Sequence, residues 1–416
     1  MIIVVGFSIA VAYHYLMGYY FGKPWPANTF LYKPWDRFWD FTLVVRQSAA
    51  SDPFGDDIGG FAGSPFAQFV GYLFSVVRPA SLRLPIFFGA FFVVFIPMIK
   101  HHLYGLKTRL HPYRWIALFA LVFLTYPVLF ALDRANFDLL VCPLLFLFVF
   151  TYAKQQHKAS MPCLGLAIAL KPYAAIFILV YVFDKRYRDS LLVLGTASLL
   201  SVLSLALFKD GLFVEAQKYF DALSRLASDP SFGSELIYTS DLFGLLTLGT
   251  KAIGETLHLG TVYLPDHPNV RLAYVIVAVA LAIYFVIHLW QEPKPLWKTM
   301  AVLTTLIIML PFNTHDYRLI YLFVPMLMYL SAEGRSRNDL LIVVLWGLLL
   351  VPKAYYHFDS LQNIGMVINP LLLMGLFLSI IPGAFSRTGI ASAFRFAYGR
   401  LASMRPHRKL ENRRSS

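Results

Sequence analysis

The sequence predicts an all-α integral membrane protein, built as a bundle of about twelve transmembrane helices. Of its 416 residues, 58% are hydrophobic and only 14% are charged. A soluble domain carries about 25% charged residues, and a single soluble core stops growing beyond about 250–300 residues. Long apolar runs recur along the whole chain. A lipid bilayer is therefore the solvent that suits this composition.

The apolar runs predict twelve helices, several of them shorter than the roughly 20 residues of a straight span. Two of the shortest are separated at Lys171-Pro172, where proline removes a backbone donor and disfavours helix at the preceding residue. We expect this break to face protein or a cavity. The first run lacks a basic n-region and a cleavage site, so we expect a retained helix. The predicted helices cover about 1–21, 84–100, 113–132, 135–152, 160–170, 172–184, 190–208, 271–290, 298–311, 317–332, 338–352 and 364–382.

Lysine and arginine concentrate in every second loop and in the C-terminal tail, which predicts that both termini are cytoplasmic. Residues 1–382 are then expected to form one transmembrane catalytic domain, and residues 383–416 a basic cytoplasmic tail. The net charge of +13 is explained by topology and anionic headgroups, without nucleic acid.

Two predicted outer segments, 22–83 and 209–270, are too long for simple turns. Loops of this length are usually functional when they are ordered, and these are too apolar to be disordered. The stretch 213–226 alternates an apolar side with a charged side at helical spacing, which predicts a helix lying in the outer interface. The working surface is therefore expected on the outer side.

Charged and polar residues gather at the same predicted membrane depth on this side. Such residues are costly there and are functional candidates by default. Each also has a structural interpretation, such as an ion pair for Arg134, an interfacial loop acid for Asp36 or Asp40, and a helix cap for His315. No phosphate loop, metal-binding His or Cys pair, or nucleophile elbow occurs, so spacing alone identifies no reaction. The four clusters are residues 35–41, 133–138, 171–173 and 313–318.

The order of these motifs resembles the GT-C superfamily of polyprenol-phosphate-sugar-dependent glycosyltransferases. It is most similar to glycosyltransferase family 87, the DUF2029 type, which includes mycobacterial α-mannosyltransferases. The resemblance covers roughly residues 36–330. The motifs that carry it are Asp40-Phe41, Arg134-Ala135-Asn136-Phe137-Asp138, Gly165-Leu166-Ala167 followed by Lys171-Pro172-Tyr173, and residues 311–317.

Two positions depart from the family pattern. The proline pair after the first outer loop is reduced to Ser64-Pro65-Phe66, and residues 238–244 replace a small polar stretch before Leu-x-Gly. The second departure bears on acceptor recognition.

The resemblance implies a GT-C-type fold and inverting transfer of a hexose, with mannose first, from a polyprenyl-phosphate donor to a glycan or glycolipid. It implies Asp40 as the general base, with Asp36 as the less favoured base and a substrate-binding residue. Because the leaving group is a lipid phosphate, two cations can serve it and no obligatory metal or cofactor is expected. A bacterial plasma membrane, with the site on its outer face, is the expected location.

The resemblance also implies substrate-binding residues. Arg134 and Lys171 would hold the leaving phosphate, Asn136 would orient Arg134 or bind the sugar, and His315 would donate to phosphate or sugar. Tyr173 is expected to line the same site.

Two other classes stay open on the sequence. An O-antigen-type polymerase or ligase would use arginines in its large outer loop, but 209–270 contains only Arg225, with Arg271 at its edge. A small-solute transporter would show internal repeats with broken helices in both halves, and one broken hairpin is evident.

Overall fold

The computed structural model describes residues 1–50, 52–55, 63–105, 113–228, 238–256, 268–291, 294–332, 339–357 and 362–381. The predicted tail 383–416 lies outside them. Apart from two isolated β-bridges, the regular secondary structure in these ranges is helical. The α-helices are α1 (Ile2–Tyr15), α2 (Trp39–Ala49), α3 (Pro65–Val76), α4 (Arg83–Gly105), α5 (Arg114–Phe123), α6 (Tyr126–Arg134), α7 (Asp138–Ala153), α8 (His157–Leu170), α9 (Leu179–Phe183), α10 (Tyr187–Leu207), α11 (Gly211–Ser228), α12 (Leu242–Thr256), α13 (Pro268–Gln291), α14 (Leu296–Met309), α15 (Phe323–Ser331), α16 (Asp339–Leu349) and α17 (Gly365–Ile380).

A helix occupies each of the twelve predicted apolar segments. Within the described residues, four helices are long and apolar enough to cross a membrane, and a fifth span is formed if α5 and α6, which meet at a 42° bend, count together. Several of the others are apolar but shorter, so the figure of about twelve spans stays a prediction. The four long helices are Ile2–Tyr20, Ala80–Tyr104, Tyr187–Leu207 and Asn269–Gln291.

The long helices carry their apolar side chains on the outside of the bundle. On α13, Leu272, Ile276 and Ile283 are each more than half exposed. Only 11% of an 18-residue apolar stretch within this helix is buried. In water such a continuous apolar surface would drive association, whereas lipid is a matching solvent for it. The exposed surface therefore agrees with the composition in indicating a membrane protein.

Two helices of the bundle begin with 3₁₀ turns. The predicted break at Lys171 is confirmed, because this residue is extended (φ −140°, ψ 102°) and is followed by a 3₁₀ segment, Pro172–Ile178. A second 3₁₀ segment, Asp316–Leu322, leads into α15, where the sequence predicted uninterrupted helix. Both segments pack against α14, which brings their first turns together at one end of the bundle.

Helices also form within the two predicted outer segments, α2 and α3 in the first and α11 and α12 in the second. The predicted amphipathic helix is confirmed as α11. Its Lys218 lies 3.0 Å from Asp52 and 2.5 Å from Asp210, whereas Phe213 and Phe220 are 85% and 63% exposed. The charged side of α11 therefore contacts the protein, and Phe213 and Phe220 point away from it.

The α2–α3 pair is held together by buried amides and a close helix approach. Gln68 donates to Gln47 over 3.1 Å and accepts from Ser48 over 2.9 Å. Gly71 of α3 lies against α2, where an added Cβ would be 2.7 Å from Val44 Cγ1 and 3.1 Å from the Val44 carbonyl oxygen. Since Asp40 stands in the first turn of α2, this packing fixes the helix that carries it.

Ser64 connects α3 to the end of α8. Its hydroxyl accepts from the Ala67 N–H over 3.1 Å and lies 2.7 Å and 2.8 Å from the carbonyl oxygens of Ala169 and Leu170. It thus caps α3 and also binds the last carbonyls before Lys171. The departure from the proline pattern at this position provides a polar link that proline lacks.

Gly71→Ala is expected to lower the free energy of unfolding by about 1–3 kcal/mol, because the methyl group overpacks α3 against backbone and side-chain atoms of α2. The thermal midpoint of the purified protein in detergent measures this effect. Gly89→Ala is the matched control, since this helical glycine has no atom within 4 Å of an added Cβ and alanine favours helix. Equal midpoints for the two variants would contradict the proposed close contact.

Residues 238–241, within the second predicted outer segment, pair with residues 314–316. The Ser240 N–H donates to the Thr314 carbonyl, and the Asp316 N–H donates to the Tyr238 carbonyl, both over 2.8 Å. The buried Asp241 carboxylate accepts from the Thr314 N–H, also over 2.8 Å. These bonds hold the start of the second 3₁₀ segment in place.

Burial raises the pKa of Asp241 to about 7, against the opposing hydrogen bonds from the backbone N–H groups of Gly244 and Thr314. The folded protein then binds this proton more tightly than the unfolded chain does, whose carboxyl titrates near 3.8. Stability linked to this group is present below about pH 4 and is lost as the pH rises toward 7.

The thermal midpoint is therefore expected to fall between pH 5 and pH 7.5 in the parent protein. Asp241→Asn, which keeps the group neutral, is expected to flatten this fall, and Asp221→Asn on the exposed surface of α11 is the control. A parental pH profile in Asp241→Asn would exclude Asp241 as its source.

Candidate functional site

The first turn of α2 is docked on the end of α6. Phe38, immediately before the helix, adopts a left-handed conformation (φ 58°). Its N–H donates to the Asp133 carbonyl over 2.7 Å, and Arg37 Nε lies 3.4 Å from Asp133 Oδ1. These contacts place Asp40, in the first turn, directly over the turn that joins α6 to α7.

That turn aims two side chains at the Asp40 carboxylate. Ala135 caps α6 in the left-handed conformation (φ 49°) and is buried. Arg134 Nη2 forms a short ion pair with Asp40 Oδ1, and Asn136 Nδ2 donates to Asp40 Oδ2 over 2.6 Å. The Arg134 guanidinium also lies 4.4 Å from the ring centre of Tyr32. Both oxygens of Asp40 are therefore oriented, and its charge is balanced.

Asp36 contributes to this cluster through its backbone. Its carbonyl accepts from Arg134 Nη1 over 3.3 Å. The neighbouring Trp35 and Trp39 are 69% and 44% exposed, so polar contacts with Arg134 and Asn136, more than aromatic ones, surround the Asp40 carboxylate.

The same turn also positions a second carboxylate, that of Asp138. Asn136 Oδ1 accepts from the Asp138 N–H over 2.9 Å, and Asp138 itself is buried. The Tyr173 hydroxyl donates to Asp138 Oδ1, and Lys171 Nζ lies 3.9 Å from that oxygen. The predicted residues Asp40, Arg134, Asn136, Lys171 and Tyr173 are thus brought together into one connected polar centre.

Arg318 completes this centre, although the sequence did not single it out. Its guanidinium lies 4.3 Å from the ring centre of Tyr173, and Nη1 donates to Thr314 Oγ1 over 3.2 Å. Nε is buried with no hydrogen-bond partner among the described atoms. Within the described ranges, no carboxylate lies at ion-pair distance from it. Asp138 and Arg318 were both visible as costly charges inside predicted clusters, which is the signal that could have found them.

His315 is placed at the edge of the centre. It forms a β-bridge with Thr239, and its ring is 5.5 Å from that of Tyr317. Its neighbour Asp316 is buried, accepting from Tyr126 over 2.8 Å and from Asn369 over 3.0 Å. Asp316 therefore serves the packing of the loops beneath the site.

The described residues contain no group of three or more His, Cys, Asp or Glu side chains that could hold a metal ion. The carboxylates of the centre instead accept hydrogen bonds from Arg134, Asn136 and Tyr173. That no metal is obligatory stays a prediction.

Comparison with known families finds a match. The model of glycosyltransferase family 87 matches residues 61–312, which is more than half of the chain. Arg134, Asn136, Lys171 and Tyr173 lie within the match, whereas Asp36, Asp40, His315 and Arg318 lie outside it. No curated protein matches the chain.

The match covers helices α3 to α14 and the part of the polar centre formed by Arg134, Asn136, Lys171 and Tyr173, and the exposed apolar surface agrees with it. The chain belongs to glycosyltransferase family 87 and is a membrane glycosyltransferase.

Proposed function

We propose that this protein transfers a hexose, with mannose as the first candidate, from a polyprenyl-phosphate donor to a glycan or glycolipid acceptor. The observation that carries the proposal is the polar centre itself. It combines an oriented carboxylate, Asp40, with the cations of Lys171 and Arg318 at one end of an apolar bundle. A phosphate-linked sugar on a lipid carrier needs this combination of base, anion-binding groups and surrounding lipid.

Asp40 is the proposed general base. In an inverting transfer, the acceptor hydroxyl oxygen forms a bond to the anomeric carbon while the bond from that carbon to the phosphate oxygen breaks. The hydroxyl proton passes to the carboxylate, and the electron pair of the broken bond leaves with the lipid phosphate. Asn136 and Arg134 hold Asp40 in a fixed orientation, which favours a single approach of the acceptor.

Lys171 and Arg318 are the proposed ligands of the departing phosphate. Arg134, which we predicted for this role, already pairs with Asp40, whereas Arg318 has a buried unsatisfied Nε and stacks on Tyr173. A guanidinium with no carboxylate at ion-pair distance among the described residues is suited to an external anion. Such charge-assisted contacts are strong where water is excluded. Arg134 then acts on the phosphate only indirectly, through Asp40.

The bilayer supplies the donor and orients the chain. The lipid tail of the donor would lie against the exposed apolar helices, and α11 would rest in the membrane interface with Phe213 and Phe220 among the lipids. The positive-inside pattern supports cytoplasmic termini and a site on the outer face of a bacterial plasma membrane. No divalent metal is required by this mechanism.

Asp40→Asn is expected to lower kcat by roughly 10²–10⁴-fold, because the amide cannot accept the hydroxyl proton. The assay supplies the purified protein with polyprenyl-phosphate-mannose and a panel of membrane glycan acceptors. Asp36→Asn is the matched control and should retain most activity. Transfer at the parental rate by a folded Asp40→Asn protein would remove Asp40 from this role, and loss in Asp36→Asn alone would assign the base to Asp36.

Arg318→Gln is expected to reduce kcat/KM by roughly 10²–10³-fold, as is typical for loss of one preorganised donor to a developing anion. Inhibition by free polyprenyl phosphate, the leaving product, should weaken in parallel, which a purely structural defect would not produce. Arg46→Gln, at an exposed arginine of α2, is the control. If inhibition by the product is unchanged in both Arg318→Gln and Lys171→Gln, neither residue binds the phosphate.

A further inference from the structure

A cavity of about 750 Å³ lies at the end of the bundle opposite the polar centre. The two are joined by α7, which begins at Asp138 and ends at Ala153; sixteen helical residues rise about 24 Å. Tyr152 and Ala153 line the cavity, whereas Asp138 belongs to the polar centre. The cavity is therefore separate from the proposed sugar-transfer site and lies toward the other membrane surface.

The wall of this cavity combines basic and apolar groups. Lys185 comes from the turn after α9, and Lys294 comes from the segment before α14. Phe183, Leu289 and Met328 provide apolar surface from three different helices. A cavity of this size falls within the roughly 300–1,000 Å³ of small-molecule sites.

Among the described residues of the lining, Asp184 is the acidic one, and the Tyr152 hydroxyl donates a short hydrogen bond to its Oδ2. The described lining also carries the two lysines, so its charged groups are mainly basic. The cavity thus suits an anion that also carries apolar groups.

We propose that this cavity binds the headgroup of an anionic phospholipid from the leaflet opposite the sugar-transfer site. Lys185 and Lys294 contact the phosphate, and the first methylenes of the chains lie along the apolar wall. Basic pockets between transmembrane helices are recognised sites for anionic headgroups. A soluble phosphate ester would offer the same charge without the chains. The apolar lining and the position at a membrane surface favour the lipid.

The test uses the full-length protein, delipidated in detergent, and native mass spectrometry to count bound lipid. Dihexanoyl-phosphatidylglycerol is the probe, dihexanoyl-phosphatidylcholine has the same chains with a zwitterionic headgroup, and glycerol 3-phosphate has the phosphate without chains. We expect saturable binding of one phosphatidylglycerol, with much weaker binding of the other two.

Lys185→Gln with Lys294→Gln should weaken the phosphatidylglycerol site by roughly 25-fold, since each lysine near a membrane surface contributes about a fivefold factor. Glutamine keeps most of the side-chain length and removes only the charge. The matched control is Lys154→Gln with Lys158→Gln, which removes the same charge at the same end of the bundle from residues that do not line the cavity.

Thermal midpoints without lipid verify that both double variants are folded, and both are expected to transfer sugar at the parental rate. Parental binding of phosphatidylglycerol by the Lys185 and Lys294 double variant would overturn the proposal. Equal binding of phosphatidylcholine would also overturn it, because charge would then play no part. Saturable binding of glycerol 3-phosphate as tight as that of the lipid would assign the cavity to a soluble phosphate ester and overturn the lipid assignment.

Discussion

Both oxygens of Asp40 are held by one short turn, through Arg134 on one side and Asn136 on the other. The turn can present both side chains to the same carboxylate because Ala135 between them takes a left-handed conformation. That conformation costs a non-glycine residue roughly 1–2 kcal/mol. The cost is offset by the ion pair, the amide hydrogen bond and the burial of Ala135 in the core. The same Asn136 then accepts from the Asp138 N–H, so the groups around Asp40, the proposed base, and those around Asp138 and Lys171 depend on one piece of backbone.

The local motifs could be predicted from the sequence because their chemistry is local. Arg134, Asn136 and Asp138 occur within five residues, and the break at Lys171 follows directly from the proline after it. The helical segments could also be located, since a bilayer requires long apolar runs. Helix length could not decide the number of spans, because bends and 3₁₀ turns divide several runs into pieces too short to judge.

The long-range part of the site could not be predicted. Arg318 reaches Tyr173 because two 3₁₀ segments, far apart in the chain, both pack against α14. Hydrophobic periodicity carries no information about that pairing.

The hydrophobic pattern also could not predict which side of α11 faces the protein. Amphipathicity predicted its two sides, but the structure shows that Lys218 faces inward to Asp52 and Asp210, the reverse of a helix packed on a soluble core.

A buried cation does not by itself indicate that a ligand binds to it, because the protein's own groups can satisfy the cation. Lys353 is an example. This lysine is buried, and its Nζ lies 2.7 Å from the carbonyl oxygens of both Leu348 and Val351 at the end of α16. A cation there satisfies carbonyls that the helix leaves unpaired, so its charge has a structural use. Arg318 has one hydroxyl contact, an aromatic ring and an unsatisfied Nε. Because an unsatisfied buried donor costs about 1–3 kcal/mol or more when charged, the unsatisfied Nε supports the proposal that an anion binds to Arg318 during the reaction. The difference in how their donors are satisfied separates the structural role of Lys353 from the proposed role of Arg318.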